Sequence, residues 1–339
     1  MKAWRIKGKG EVSLEKLEPQ MPGENFVKVK IAYSALSDTD ALIFSGEVVP
    51  PKYPITIGRQ AVGMVTEVGE GVTHVARGDR VVIDPYVYCD LCSSCKDDRF
   101  TDCIDIKTYG TDEDGFLSDF ALVRSEDIYE LPDRISDEDA IFAGHIAYAM
   151  HIAGKLSLER GKYVAIMGAT QVGLVLAQIA LYYQAIPIVV DSRADRLALA
   201  ESLGIYYCVN TTTDDARKKI FSFTGGSLAG SLVYFARTSL SLEQSLSCAG
   251  CGAKIVMACA NGVKTEVTGN VIDIFTKQLS VCGITNGAKL IPIAINMLAN
   301  KSVSVSKFIS KVISFNEVGE ALKEKMEYPN KHMKVLVKM

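Results

Sequence analysis

No stretch of this chain approaches the ~18–20 consecutive apolar residues of a membrane span, so no transmembrane helix is expected. The opening MKAWRIKGKGEVSLEKLEP lacks an apolar core, so no secretory leader is expected and the protein reads as cytoplasmic. A dominant charge is missing too. Lys and Arg number 37 against 40 Asp and Glu, a net −3. That gives no reason to expect nucleic acid or an anionic membrane as a partner. Internal repeats, low-complexity tracts and long linkers are absent, which excludes a solenoid or freely tethered modules. What is present is a 339-residue chain, 48% apolar and 23% charged, long enough for two domains with ample cores.

Nine cysteines is an odd count, and four crowd into one segment. Cys89, Cys92, Cys95 and Cys103 form a C-x2-C-x2-C-x7-C run. A disulfide framework fits neither the parity nor the expected reducing compartment. Four thiolates this close can complete a tetrahedral shell around one structural Zn²⁺. Their loop, YCDLCSSCKDDRFTDC, is too polar to build a core, and a metal staple accounts for its order. Cys208, Cys248, Cys251, Cys259 and Cys282 stand in apolar surroundings and are expected as core thiols.

The first ~145 residues read as short strands and turns. VKVKIAYSA and MVTEVGEGVTHVARGDRVVI are alternating and β-branched, and the second is broken at two glycine-containing turns. An antiparallel β domain follows. Beyond about residue 147 the rhythm becomes βαβ, which implies a parallel sheet. YVAIMG, IPIVVD, SLVYFA, KIVMACA and LSVCGIT are expected strands. VGLVLAQIALYYQ, RADRLALAESLG and a segment near Leu242–Ala249 are expected helices. The chain ends in a helix, a turn and an alternating strand, FNEVGEALKEKMEYPNKHMKVLVKM.

YVAIMGATQVGLVLAQIA is a buried strand, a tight loop and a helix. Gly168 permits the sharp turn and Gly173 permits close packing of helix on strand. Gln171 and Val172 open the helix, whose free N–H groups and partial positive charge suit a pyrophosphate. Thr170 departs from the G-x-G-x-x-G pattern at its middle position and crowds the place where phosphates approach. Asp191 closes the next strand, where a carboxylate accepts ribose hydroxyls and repels a 2′-phosphate, so NAD(H) is favoured. Arg193 and Arg196 follow and soften that preference. The alternative is an Asp that merely starts a strand–helix turn.

The cysteine run, the β segments before it and the strand–loop–helix after it together resemble the zinc-type medium-chain dehydrogenases, the alcohol dehydrogenase family. The resemblance spans essentially the whole chain. It implies an α/β protein: a GroES-like β domain with a structural zinc lobe near 86–106, plus a Rossmann doubly wound parallel-sheet domain. The expected limits are 1–146 with 285–339 for the first and 147–284 for the second, the C-terminal stretch returning to the first domain. It further implies a homodimer or homotetramer that continues the sheet across a two-fold axis, with LSVCGIT as the edge.

Family members hold a second, catalytic zinc through a Cys, a His-Glu pair and a later Cys or Glu. By the resemblance those positions read Ser37, Arg59-Gln60 and Gly144. Neutral Ser and Gln are poor zinc ligands, Arg is a permanent cation and Gly has no side chain. One structural zinc per chain and no catalytic zinc are expected, although Asp38, Asp40 and His145 are residues that can regroup into a different site. Thr39 matches the Ser/Thr that relays the alcohol proton, or is an ordinary β-branched residue at a strand end. Asp40 matches the carboxylate that orients the ligand His, and is free here to pair with Arg59. Arg59 then serves as electrophile, or anchors a substrate carboxylate or phosphate, or simply neutralises Asp40. Tyr86, Tyr88 and Tyr109 are further proton sources near the lobe. Two functions are carried forward. One is an NAD(H)-dependent oxidoreductase acting on a small carbonyl or alcohol, or on an activated C=C or C=N. The other is a non-catalytic or regulatory dinucleotide-binding descendant.

Overall fold

The computed structural model describes residues 1–236, 240–259 and 271–339. The chain divides into two compact units. The first comprises Met1–Gly144, Ile291–Asn300 and Val305–Met339, and the second His145–Leu290 with Lys301–Ser304. The divisions fall two residues before the expected 146/147 limit and six after the expected 284/285 limit. Among the described residues no helix is long and apolar enough to cross a membrane.

In the first unit the strand Phe26–Leu36 is central. It pairs antiparallel with Ala61–Val68 along one edge. Its other edge is shared by Phe120–Arg124 and the C-terminal strand Lys334–Lys338. The C-terminal strand pairs Val335 with Leu36, so Lys334 lies where the central strand gives way to Ser37. Alternation along the strand feeds two cores, as period-2 side chains must. Val27, Val29 and Ile31 pack with Val65, Val81 and Phe116. Leu36 packs with Ile43, Leu117, Leu322 and Val335. The sheet is antiparallel except where Ile309–Ser314 runs parallel to Lys334–Lys338.

The second unit is a six-stranded parallel sheet. Its order is Tyr207–Asn210, Ile186–Asp191, Tyr163–Met167, Ala229–Phe235, Ala249–Ala258, Ser280–Ile284. The order reverses beside Tyr163–Met167, the doubly wound arrangement in which ligands bind beyond the carboxyl ends of the strands. Helices Gln171–Tyr182, Ala194–Ser202 and Leu242–Ser247 occupy the expected places. Ala260, the last residue of the expected strand KIVMACA, lies outside the described residues. Cys251 and Cys282 correct the expectation of core thiols: both are exposed, whereas Cys248 is buried. Cys282 lies on the strand Ser280–Ile284, which among the described residues is the edge of the sheet.

Candidate functional site

The cysteine lobe holds four Sγ atoms within 4.8 Å of one another. A tetrahedral zinc with ~2.3 Å bonds sets its sulfurs ~3.8 Å apart, so the cluster fits the ion with slight contraction. Cys95 and Cys103 are buried, Cys89 and Cys92 half-buried. Backbone N–H groups already point at sulfur, from Cys89 to Cys103 and from Cys92 to Cys89, both at 3.4 Å. N–H groups of Cys95 and Ile104 pull the Cys92 thiol toward the thiolate, while burial pushes the neighbouring Cys95 thiol up. The lobe buries only Tyr88, Cys95 and Cys103 fully. Two of its three core side chains are thus candidate ligands, and the metal would replace a core. Arg124 anchors the lobe, donating to the Tyr88 carbonyl at 2.7 Å and to Asp90 at 2.6 Å. Among the described residues this is the one group of three or more His, Cys, Asp or Glu whose ligand atoms converge.

A second cluster lies elsewhere in the first unit. The central strand ends at Leu36, and Ser37 caps the helix Asp38–Ser45 in a capping box. Ser37 Oγ accepts the Asp40 N–H at 3.2 Å, while Asp40 Oδ2 accepts both the Ser37 N–H and its hydroxyl at 2.7 Å. Asp40 Oδ1 takes the Gly58 N–H at 3.0 Å. Both oxygens of a fully buried carboxylate are therefore occupied. Gly58 has φ +95, and a Cβ there would sit 2.8 Å from the Leu117 nitrogen. Only glycine makes that turn, and it delivers Arg59 into the interior.

Arg59 donates to Thr39 Oγ1 at 3.1 Å, and its guanidinium lies 5.6 Å from the centre of the Tyr86 ring. The expected pairing of Asp40 with Arg59 is thus corrected: three donors had already claimed the carboxylate, and the guanidinium went to the hydroxyl. Thr39 sits in the first turn of a helix, not at a strand end. Asp38 points outward to Lys325 at 2.7 Å. Of the three tyrosines near the lobe only Tyr86 is beside Arg59. Burial raises its phenol above the usual value, and Arg59 offsets part of that. Tyr109 is bound to Asp127 at 3.1 Å, and Tyr88 packs on Phe100 inside the lobe.

Lys334 was not singled out from the sequence, yet it is buried and donates to Gln60 Oε1. Burial first, then the charge of Lys325, pulls its ammonium down to about 7. A faint signal existed: Lys334 is in phase with the fully buried Leu336, two residues on.

In the second unit Thr170 N-caps the helix Gln171–Tyr182, its Oγ accepting the Gly173 N–H at 3.0 Å. The residue expected to crowd the phosphates has this structural task, and the first-turn N–H groups of Gln171 and Val172 follow it. A Cβ on Gly173 would fall 2.3 Å from the Gly168 carbonyl. The Asp191 carboxylate accepts the Ala169 N–H at 2.7 Å and the Arg193 N–H at 2.9 Å. It thereby joins the strand end to the turn, and the loop fits a dinucleotide. Arg193 pairs with Asp195 at 2.8 Å. Arg196 lies in the helix after Asp191, and Gly144 and His145 near the start of the helix Ala143–Leu156.

Comparison with known proteins matches these parts. Residues 23–133 fit the family model of the alcohol dehydrogenase GroES-like domain, and residues 172–300 that of zinc-binding dehydrogenase. The chain is 30% identical to D-arabitol-phosphate dehydrogenase of Enterococcus avium, over 89% of this chain and 87% of that one. It is 26% identical to sorbitol dehydrogenase of Bacillus subtilis strain 168, over 99% and 97%. An alcohol dehydrogenase from Escherichia coli CFT073, solved with NADH, superposes with a TM-score of 0.90 at 26% identity, over 100% and 99%. A Sinorhizobium meliloti 1021 protein bound to NADP does so at 0.91 and 25%, over the same shares. The chain belongs to the zinc-type alcohol dehydrogenase family, the medium-chain dehydrogenases and reductases. Two of these solved structures hold a nicotinamide dinucleotide, NADH in one and NADP in the other.

Proposed function

We propose that this chain is an NAD(H)-dependent oxidoreductase whose reaction centre uses Arg59 in place of a catalytic zinc. The observation that carries the reading is the buried Arg59 guanidinium on the Thr39 hydroxyl, at 3.1 Å. A nicotinamide dinucleotide, which the Gly168–Gly173 loop and Asp191 would hold, would supply the hydride when bound. The Arg59 guanidinium would stabilise negative charge developing on the substrate oxygen, and the Thr39 hydroxyl would donate the proton, with solvent as its eventual source. Ser37 and Asp40 hold the Thr39 helix and the Gly58 turn in place. The metal is disfavoured here because a fixed cation repels it and Asp40 is already engaged by three donors. Substrates are small carbonyls or alcohols, or activated C=C or C=N bonds, and the polyol enzymes among the relatives favour hydroxylated carbonyls. Asp191 supports NAD(H) over NADP(H). The exposed edge strand Ser280–Ile284 supports self-association as a dimer or tetramer.

Arg59→Met tests the reading. Turnover on a panel of carbonyls and polyols should fall by about a hundredfold or more, with NADH affinity unchanged. Unaltered turnover and substrate affinity would overturn it. NADH binding by the unaltered protein without turnover of any panel member would favour the regulatory descendant.

A further inference from the structure

Two backbone carbonyls at the carboxyl end of the parallel sheet converge on one side-chain hydroxyl. Ile284 is the last residue of the strand Ser280–Ile284, and Cys259 is the first beyond the neighbouring strand Ala249–Ala258. The Tyr148 hydroxyl donates to the Ile284 oxygen at 2.9 Å and to the Cys259 oxygen at 3.1 Å. Tyr148 is half-buried and comes from the helix Ala143–Leu156. All three residues belong to the second unit. A phenol has a single hydrogen, so it serves two acceptors only by sharing it. A primary amide carries two N–H donors and matches a pair of convergent carbonyls.

The place of the pair in the sheet says whose amide that is. A dinucleotide crosses a doubly wound sheet where the strand order reverses, with one nucleotide to each half. Under the proposed function, Asp191 and the Gly168–Gly173 loop take the adenosine and the pyrophosphate. The strands Ala229–Phe235, Ala249–Ala258 and Ser280–Ile284 make the other half, which leaves their carboxyl ends to the nicotinamide and its carboxamide. The segment after Ile284 has anchors other than Tyr148. His151, three residues on along the same helix face, places Nδ1 2.9 Å from the Asn286 carbonyl. A Cβ on Gly287 would fall 2.9 Å from the Ala147 Cβ, so the segment already lies directly on the helix.

We propose that the Tyr148 hydroxyl is a displaceable stand-in for the nicotinamide carboxamide, and that the nicotinamide end of the dinucleotide seats only when this side chain swings off the two carbonyls. The inference rests on the proposed function for the identity of the ligand. No covalent bond changes: one shared O–H donor is exchanged for two N–H donors, and the phenol turns to water. The internal contact lowers the apparent affinity by the fraction of molecules in which the carbonyls are released. A ligand with the same adenosine, pyrophosphate and second ribose but no amide escapes that cost.

The test is calorimetric titration of NAD⁺, ADP-ribose and nicotinic acid adenine dinucleotide into the full-length parent, Tyr148→Ala and Tyr148→Phe. Tyr148→Ala should tighten NAD⁺ by about tenfold and leave ADP-ribose within about twofold. The nicotinic acid analogue has a carboxylate and no N–H for the carbonyls, so it should gain nothing. Tyr148→Phe loses the hydroxyl and keeps the ring, and should tighten NAD⁺ by a smaller factor. This conservative variant keeps the comparison open if Tyr148→Ala does not fold. A hydroxyl that only braces the strand ends makes the opposite prediction. Weaker or unchanged NAD⁺ binding in Tyr148→Phe, or equal gains for all three ligands, would therefore overturn the proposal. A selective gain for NAD⁺ in a protein that turns over no carbonyl would leave this role of Tyr148 standing and count against the proposed function. Carbonyl turnover by the parent, with no selective gain in either variant, would do the reverse.

Discussion

Asp40 Oδ1 accepts the backbone N–H of Gly58 at 3.0 Å across eighteen residues of chain, and Arg59 follows directly. One carboxylate thus fixes both the helix bearing Thr39 and the turn bearing Arg59. Asp40→Asn puts an amide donor against N–H or O–H donors on one side or the other. We expect a loss of ~2–4 kcal/mol in urea unfolding. A change within ~0.5 kcal/mol, the range of neutral surface substitutions, would deny Asp40 this role.

The dinucleotide loop is equally specific. Gly173→Ala forces a Cβ to within 2.3 Å of the Gly168 carbonyl, so the loop must move. NADH affinity, read by fluorescence titration, should fall by more than about tenfold. Asp191→Ala should weaken NADH comparably and erase most of the preference over NADPH. Thr170→Ala should cost ~1 kcal/mol of stability through the lost cap, with NADH affinity nearly kept. If Thr170→Ala instead tightened NADH by tenfold, Thr170 would be an obstruction as the sequence suggests.

Much of this was legible before any coordinates. The cysteine spacing and the strand–GATQVG–helix unit are local patterns, and local patterns survive folding. The limits of legibility are visible at Asp40. The resemblance offers Arg59 as its partner of opposite sign, but the Ser37 capping box and the Gly58 N–H claim the carboxylate instead. Backbone donors do not appear in a sequence as charges do. Lys334 was hidden for another reason. A lysine near the chain end reads as solvated, and only the register of Val335 against Leu36 carries it inward. Cys282 erred the opposite way: its apolar neighbours suggested a core, but its strand is the edge of the sheet among the described residues, and the thiol is exposed.

Lys334 also makes stability depend on pH. Its pKa is about 7 in the folded protein against the ordinary 10.5. Between those values the unfolded chain binds more protons, so this group's destabilisation is complete below about pH 7 and fades as pH rises toward 10.5. Lys334→Met should therefore be more stable than the parent at pH 6 by ~1–4 kcal/mol, in buffer free of sulfate and phosphate. The advantage should shrink toward pH 10. Urea melts at three pH values measure it, and a variant less stable than the parent at pH 6 would contradict the assignment.

The central claim is that the family's structural metal is kept while Arg59 stands at the position of the catalytic one. Zinc per chain, by mass spectrometry on protein purified without added metal and shown to bind NADH, addresses it most directly. The account predicts one zinc, lost with Cys103→Ser and kept with Arg59→Met. Two zincs per chain would contradict it, because some other set of ligands would then hold a metal at the reaction centre.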